Sequence, residues 1–182
     1  MKVIGVVGLP ASGQGEFARI ASRQGVPVVI MGDVIRAAVN EAGLAPDDQN
    51  MGAMANRLRK EGGKDAIAKL CIPALHHLSA PIVLVDGIRG DAEVRLFRRH
   101  FPGFVVVAID SPFTTRLTRL ATRGRSDDTT SEESLRLRDE RELGWGLGAA
   151  LSMAEYRLQN DGDLATFEQS VRNLLQMLER TP

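Results

Sequence analysis

An apolar run near the start of the chain leads into a glycine-rich turn and then into a stretch with helical periodicity. Residues 3–7 have strand character, and Gly8 and Gly13 complete the pattern G-x-x-x-x-G. A strand, a glycine turn and a helix in this order favour a phosphate-binding loop. Successive backbone N–H groups then point into one hollow, and the helix N-terminus adds about half a positive charge. The predicted phosphate-binding loop comprises Gly8, Leu9, Pro10, Ala11, Ser12, Gly13, Gln14, Gly15 and Glu16.

Two residues depart from the usual end of such a loop. Gln14 stands where a lysine would reach the β- and γ-phosphates, and Gly15 stands where a hydroxyl is usual. The cradle is made of backbone, so we expect nucleotide binding to survive both changes. The missing lysine removes one charge beside the γ-phosphate, and loss of one preorganised donor costs roughly 10²–10³ in rate. An arginine from elsewhere in the chain could replace part of that charge.

Composition excludes several other classes of protein. The 182 residues suffice for one well-buried domain, and their net charge of zero predicts no general affinity for nucleic acid or anionic membranes. No segment approaches the ~20 apolar residues of a membrane span, and the first residues enter a core strand rather than a signal peptide. Cys71, the single cysteine, has apolar neighbours, which predicts a buried thiol and a cytoplasmic protein. The sequence leaves the oligomeric state open.

Strand and helix patterns alternate along the chain, which predicts a doubly wound parallel sheet between two layers of helices. Strands are predicted at 2–7, 26–31, 81–86, 104–109 and 156–160, and helices at 15–23, 33–43, 51–61, 65–78, 91–100, 113–122 and 164–178. About fifty residues separate the second and third strands, whereas a crossover needs only a dozen or so. The whole chain is predicted to be one domain with a core of 1–32, 79–123 and 143–182, a helical insert of 33–78 and a lid of 124–142.

Two acidic residues follow strands in this pattern. Asp33 is placed to cap the second helix at the end of the second strand, facing the crevice where ligands bind in such sheets. Asp86 ends the third strand, where a carboxylate can hold Mg²⁺ through water or simply cap a turn. Both residues are therefore candidates for the site.

Arginines recur in the helices that flank the polar segment of residues 124–134. Arg116, Arg119 and Arg123 share one helix face, and Arg138 and Arg141 follow the polar segment. A lid that closes over phosphates needs a polar hinge and arginines that it can bring into contact with the phosphates. Alternatively, these helices are solvated surfaces held by ion pairs at i, i+4 spacing.

Several runs carry a resemblance to known proteins. The run Gly-x-Pro-x-Ser-Gly-x-Gly resembles the loop of adenylate kinases. Three further runs resemble an archaeal family of kinase-like ATPases: Met-Gly-Asp-Val-Ile-Arg (31–36), Asp-Gly-Ile-Arg (86–89) and Arg-Asp-Glu-Arg-Glu-Leu-Gly-Trp-Gly (138–146). The likeness covers essentially the whole chain and extends to dephospho-coenzyme A kinases. It implies a P-loop NTPase fold, an α/β/α sandwich with a five-stranded parallel sheet of order 2-3-1-4-5, and ATP with Mg²⁺ as ligands.

The resemblance also implies roles for individual residues. Arginines that bind the phosphate of the acceptor, the molecule that receives the phosphoryl group, are matched by Arg36 and Arg89. The turn at Asn160 matches the place that holds the base of ATP. The catalytic set that the likeness and the motifs together imply is Gln14, Asp33, Arg119, Arg123, Arg138 and Arg141.

These inferences predict a nucleotide kinase. The acceptor is a nucleoside monophosphate or a molecule of the dephospho-coenzyme A type. A hydroxyl acceptor would need a general base, for which Asp33 is the candidate. Two alternatives stay open: a regulatory protein that binds ATP without turnover, and a slow ATPase whose lid movement signals to a partner.

Overall fold

The core of the molecule is a parallel sheet of five strands, as seen in a computed structural model that describes residues 1–123 and 131–180. The strands are β1 (Lys2–Gly8), β2 (Val28–Ile30), β3 (Ile82–Ile88), β4 (Val105–Asp110) and β5 (Tyr156–Gln159). All pairings are parallel and the order is β2-β3-β1-β4-β5, which confirms the predicted sheet. Because β1 is the middle strand, the loop that follows it emerges at the centre of the sheet edge.

The described helices are α1 (Gln14–Arg23), α2 (Met31–Glu41), α3 (Asp48–Gly62), α4 (Ala66–His77), α5 (Asp91–His100), α6 (Phe113–Arg123), α7 (Glu132–Gly144), α8 (Leu147–Ser152) and α9 (Leu164–Arg180). Among them, α8 was not predicted from the sequence, because six residues are too few for a periodic pattern. In the described ranges, no helix combines the length and the apolar character needed to cross a bilayer.

The start of α2 differs from the prediction. The sequence suggested a strand through Met31 and a helix capped by Asp33, but β2 ends at Ile30 and α2 begins directly at Met31. Met31 is 1% exposed, so the early turn into the helix buries an apolar side chain that a longer edge strand would leave outside the core. Asp33 therefore lies inside the first turn of α2 and is not its cap.

Two apolar clusters lie on opposite faces of the sheet. Along β1, Val3 and Val7 belong to one cluster, whereas Ile4 and Val6 belong to the other, as the alternation of strand side chains requires. Side chains of α4, α5 and α8 cover the first face, and those of α1 and α9 cover the second. Cys71 is buried in the first cluster, as predicted, and burial raises the pKa of its thiol to about 12.

A buried ion pair joins the segment between β2 and β3 to the sheet core. Arg59 of α3 lies 3.0 Å from the carboxylate of Glu93 in α5, and the Glu93 side chain has no exposed surface. Glu93 also accepts hydrogen bonds from the backbone N–H groups of Arg89 (2.7 Å) and Gly90 (3.1 Å). One carboxylate therefore fixes both the helical segment and the chain that leaves β3.

The burial of Glu93 predicts a pH dependence of stability. Desolvation raises the pKa of its carboxyl above the ordinary value of 4.5, although Arg59 opposes the shift. The folded chain therefore holds this proton at a pH where the unfolded chain has lost it. The resulting stabilisation is complete below the unfolded pKa and is lost as the pH rises through the folded pKa.

Glu93→Gln cannot titrate at this position. We expect the unfolding free energy of the natural chain, minus that of Glu93→Gln, to fall as the pH rises above the ordinary glutamate pKa of 4.5. Urea unfolding followed by circular dichroism measures this difference. Glu140→Gln, at an exposed glutamate of α7, is the control and should give a flat difference. A flat difference for Glu93→Gln as well would contradict the assignment.

Candidate functional site

A cavity of about 740 Å³ opens at the carboxyl edge of the sheet. Its wall contains the phosphate-binding loop, the ends of β2 and β3, helices α2, α3, α6 and α7, and the turn after β5. Ligands of doubly wound sheets bind at this edge, where neighbouring connections diverge. The fold therefore brings the predicted loop and five of the predicted arginines to one place: Arg36, Arg89, Arg119, Arg138 and Arg141.

The phosphate-binding loop has the geometry of an anion cradle. Gly13 precedes α1 with φ 121°, a conformation that favours glycine, and no side-chain hydrogen bond caps α1. A Cβ on Gly13 would lie 2.2 Å from Asn160 Nδ2, and a Cβ on Gly8 would lie 2.3 Å from Ser12 Oγ. The N–H groups of the first turn of α1 are thus left for a bound anion, and the residues present fit the phosphates of a nucleotide.

Side chains from distant elements hold the carbonyl oxygens of this loop. Arg116 Nη1 donates to Pro10 O at 3.0 Å, and Arg119 Nη1 donates to Ser12 O at 3.3 Å. Asn160 donates to Ser12 O at 2.8 Å and accepts from Arg119 Nη2 at 2.9 Å. Burial lowers the pKa of Arg119. The predicted site residues Arg119 and Asn160 therefore meet at the loop.

Gln14 has an unexpected partner. It is 7% exposed, and its Nε2 donates to Gly8 O at 2.7 Å. Its Oε1 accepts from Arg89 Nη1 at 2.6 Å, and the same Nη1 lies 3.2 Å from Gly8 O. Arg89 Nε lies 2.8 Å from Glu142 Oε2. Arg89 was predicted to bind the acceptor, but its guanidinium lies against the phosphate-binding loop.

An irregularity in β3 sets the position of this end of the strand. Val6 pairs with Asp86 and Val7 pairs with Ile88, so Gly87 is an extra residue, with φ 94°. Asp86 is 9% exposed and lines the cavity. In the described part of the chain, no three His, Cys, Asp or Glu side chains group to hold a metal. Mg²⁺ in phosphoryl-transfer sites needs only one or two carboxylates beside phosphates and water, so Asp86 fits it.

Of the two predicted site residues in α2, Arg36 lines the cavity and Asp33 does not. Arg36 lines the cavity, and its side chain makes no hydrogen bond or ion pair with any residue that the structure describes. Asp33 is exposed and does not line the cavity. Gly32 and Arg36 share the cavity face, whereas Asp33 is turned by about 100° from Gly32. The prediction that Asp33 faces the crevice is wrong, because α2 begins two residues earlier than expected.

The arginines of α7 reach across the cavity to α3. Arg141 forms a two-pronged ion pair with Asp48, with N–O distances of 2.7 and 3.0 Å. Arg138 Nε lies 3.5 Å from Asp48 Oδ1 and 3.2 Å from Glu142 Oε1. Both arginines line the cavity, and their action as part of a lid stays a prediction. The side chain of Arg123 and residues 124–130 of the predicted lid lie outside the described residues.

Four carboxylates hold arginines in and around the cavity, and none of the four was among the predicted site residues. Asp139 pairs with Arg116 at 2.6 and 2.8 Å, and the others are Asp48, Glu93 and Glu142. Glu142 follows Arg138 by four residues, a spacing that indicates a helical ion pair. Asp48, Glu93 and Asp139 pair with arginines far away in the sequence, and no local pattern signals such contacts.

The cavity carries a surplus of positive charge. In the described residues, its wall holds seven arginines against four carboxylates, and most of the arginines face a carboxylate. The arginines are Arg19, Arg36, Arg59, Arg89, Arg119, Arg138 and Arg141, and the carboxylates are Glu16, Asp48, Asp86 and Glu142. Within the described ranges, Arg36 and Arg119 form no ion pair, and Arg119 donates only to neutral oxygens. The wall is therefore suited to anions at two separate arginines.

Comparison with known proteins agrees with this geometry. Residues 7–136 match the family described as AAA domain. A UPF0200 protein of Methanoregula boonei is 62% identical to this chain, and the match covers all of both chains. A UPF0200 protein of Methanoculleus marisnigri is 58% identical over 96% of each chain, and both of these relatives are archaeal, as the sequence motifs predicted.

Solved kinases share the fold. A shikimate kinase from Bacteroides thetaiotaomicron superposes with a TM-score of 0.62 at 15% identity, covering 98% of each chain. A dephospho-CoA kinase from Campylobacter jejuni superposes with a TM-score of 0.61 at 16% identity, covering 99% of this chain and 98% of the other. Likeness at such low identity shows the fold alone. With a P-loop kinase-like fold and relatives matched over their full length, this chain belongs to the UPF0200 family and contains an AAA domain.

Proposed function

We propose that this protein is a nucleotide kinase that transfers the γ-phosphate of ATP to a small phosphorylated acceptor. One observation carries the proposal: a single cavity contains both the phosphate-binding loop and the guanidinium of Arg36, which no described residue pairs. A phosphoryl transfer between two bound anions needs two anion sites in one cavity. Catalysis then consists mainly of positioning and of positive charge around the migrating group.

The ATP site would be formed by the loop of residues 8–16. Its N–H groups would bind the phosphates, and the turn after β5, at Asn160, would hold the base. Asp86 would hold Mg²⁺ through water. The ion would supply positive charge that offsets the negative charge of the phosphates. Arg119 and Asn160 keep the loop in the binding conformation by satisfying Ser12 O.

The acceptor site would be formed by the segment between β2 and β3. Arg36 offers a guanidinium that can bind a phosphate through two parallel hydrogen bonds. A hydroxyl acceptor needs a general base, and the candidate base Asp33 is exposed outside the cavity wall. This favours an acceptor whose attacking oxygen is already ionised, as in a nucleoside monophosphate, over the dephospho-coenzyme A type.

An alternative function is supported by a different observation. Asp48 already forms an ion pair with Arg141 and lies close to Arg138, and Gln14 stands in place of the usual lysine. A protein that binds ATP and signals through α7, with slow ATP hydrolysis or none, would have the same features. In both cases we infer a cytoplasmic protein whose partners are nucleotides rather than nucleic acid or membranes.

Turnover measurements separate the two functions. With ATP and Mg²⁺, we expect ADP formation to rise when a nucleoside monophosphate is added, because its phosphate binds at Arg36 and its oxygen attacks the γ-phosphate. The assay compares the nucleoside monophosphates with dephospho-coenzyme A. ADP formation that is the same with and without every acceptor would reject the kinase and favour the alternative.

Arg36→Ala tests the acceptor site. We expect the KM for the acceptor to rise by about 10- to 100-fold, the range for losing a charge-assisted hydrogen bond to phosphate, while the Kd for ATP stays within about twofold. Steady-state kinetics and calorimetry measure the two constants. The matched control is Arg57→Ala, at an exposed arginine of α3 that pairs with Glu61 and lies outside the cavity wall. Equal losses for ATP and acceptor would remove Arg36 from the acceptor site.

Asp86→Asn tests the magnesium site with nearly unchanged shape. In the natural protein we expect Mg²⁺ to tighten ATP binding, and we expect the variant to lose this effect by about tenfold or more, because the neutral amide is a poor ligand for a hard cation. Calorimetric titrations of ATP with Mg²⁺ and with a chelator give the ratio. The affinity in chelator serves as the internal control. A Mg²⁺ effect of the same size in the variant would exclude Asp86.

A further inference from the structure

We propose that Arg89 supplies the positive charge that a lysine supplies at the end of other phosphate-binding loops, and that Gln14 positions it there. This inference rests on the ATP site of the proposed function and not on transfer to an acceptor, because it concerns the γ-phosphate of the donor. It makes Arg89 a residue of the ATP site rather than of the acceptor site. It also explains why a glutamine is tolerated at a position where a neutral side chain would remove an essential charge.

The contacts of Arg89 place its guanidinium at the loop. Nη1 donates to the Gln14 side chain at 2.6 Å and lies 3.2 Å from Gly8 O, the first carbonyl of the loop. Gln14 Nε2 donates to the same carbonyl at 2.7 Å. Both side chains therefore donate to one backbone oxygen of the loop, and the Arg89 guanidinium lies directly against the side chain at position 14, where a lysine is usual.

A carboxylate holds the guanidinium from another side. Arg89 Nε lies 2.8 Å from Oε2 of Glu142, which is 3% exposed, and Arg138 lies 3.2 Å from the other oxygen. The backbone of Arg89 is also fixed, because its N–H donates to Glu93 at 2.7 Å. The charge is therefore preorganised, which is the condition under which a donor stabilises a transition state most.

Gln14 can perform this role where a lysine cannot. A side-chain amide both donates and accepts, so Gln14 donates to Gly8 O while accepting from Arg89. A lysine has no acceptor and would bring a second cation beside the guanidinium. A lysine at position 14 should therefore weaken ATP binding and slow turnover when Arg89 is present. The same lysine should recover both properties when Arg89 is replaced by a neutral residue.

Four proteins test the inference: the natural chain, Gln14→Lys, Arg89→Met and Gln14→Lys/Arg89→Met. We expect the rate of acceptor-dependent ADP formation to fall by roughly 10²–10³ in Arg89→Met. We expect Gln14→Lys to be slower than the natural chain, and the double variant to recover to within about tenfold of it. Recovery in the double variant requires that the two positions supply the same charge.

Binding gives a readout that does not require turnover. A cation beside the γ-phosphate favours ATP over ADP, so Arg89→Met should lower the ratio of the ADP Kd to the ATP Kd by about tenfold, and the double variant should restore it. If no protein shows acceptor-dependent turnover but this pattern holds, the proposed function fails and the inference stands. A ratio unchanged by Arg89→Met overturns the inference.

Two control variants test whether the effects of Arg89→Met come from the lost charge or only from a disturbed structure. Arg95→Met, at an exposed arginine of α5 that pairs with Asp91, should match the natural chain in every measurement. Arg89→Lys keeps a charge without the planar guanidinium that contacts Gln14 on one side and Glu142 on the other, and should lie between Arg89→Met and the natural chain. It also serves if Arg89→Met does not fold. An acceptor role for Arg89 predicts the opposite pattern: a raised acceptor KM with unchanged ATP binding, and faster turnover in Gln14→Lys.

Discussion

A loop that offers its N–H groups to an anion has to satisfy its carbonyl oxygens elsewhere, because unpaired backbone groups are costly when buried. In this chain the carbonyls of Gly8, Pro10 and Ser12 accept hydrogen bonds from side chains of other elements. The donors come from α1, from the chain after β3, from α6 and from the turn after β5, so the shape of the loop depends on the order of the whole sheet. Residues distant in sequence must reach this one edge before the cradle can exist.

The arginines that meet at this edge of the sheet also need partners for their charge. Buried or half-buried arginines need anionic partners, and the chain supplies acidic side chains that bridge one element to the next. Glu93 links α3 to the chain after β3, Asp139 links α7 to α6, and Asp48 links α3 to α7. These pairs neutralise the charge of the guanidinium groups and also fix their orientation. Among the arginines of the cavity wall, Arg36 and Arg119 form no ion pair with the described residues, so they stand out as the places where a ligand can supply the negative charge.

Local patterns made much of the fold predictable from the sequence, since apolar runs located β1 to β4 and the glycine spacing located the loop. The last strand was also predicted, although apolar and polar residues alternate along β5. The start of α2 was misplaced by two residues because burial of Met31, a tertiary effect, overrode the capping preference of Asp33. That error put Asp33 on the wrong face. The partners of the site residues were beyond prediction, because pairs such as Arg89 and Gln14 are 75 positions apart. Residue types indicated which side chains carry charge, but the packing of α3, α5 and α7 decides which group holds each arginine.

The surroundings of Trp145 have a practical consequence. Its indole N–H donates to Asn56 at 2.6 Å, and its ring faces the guanidinium groups of Arg59 at 4.3 Å and Arg141 at 5.7 Å. It is the only tryptophan of the chain and lines the cavity. A ligand that draws Arg141 away from Asp48 changes the charge beside this ring. The tryptophan fluorescence of the protein therefore comes from a single emitter at the cavity wall, so events at the phosphate site can be followed optically without an attached dye.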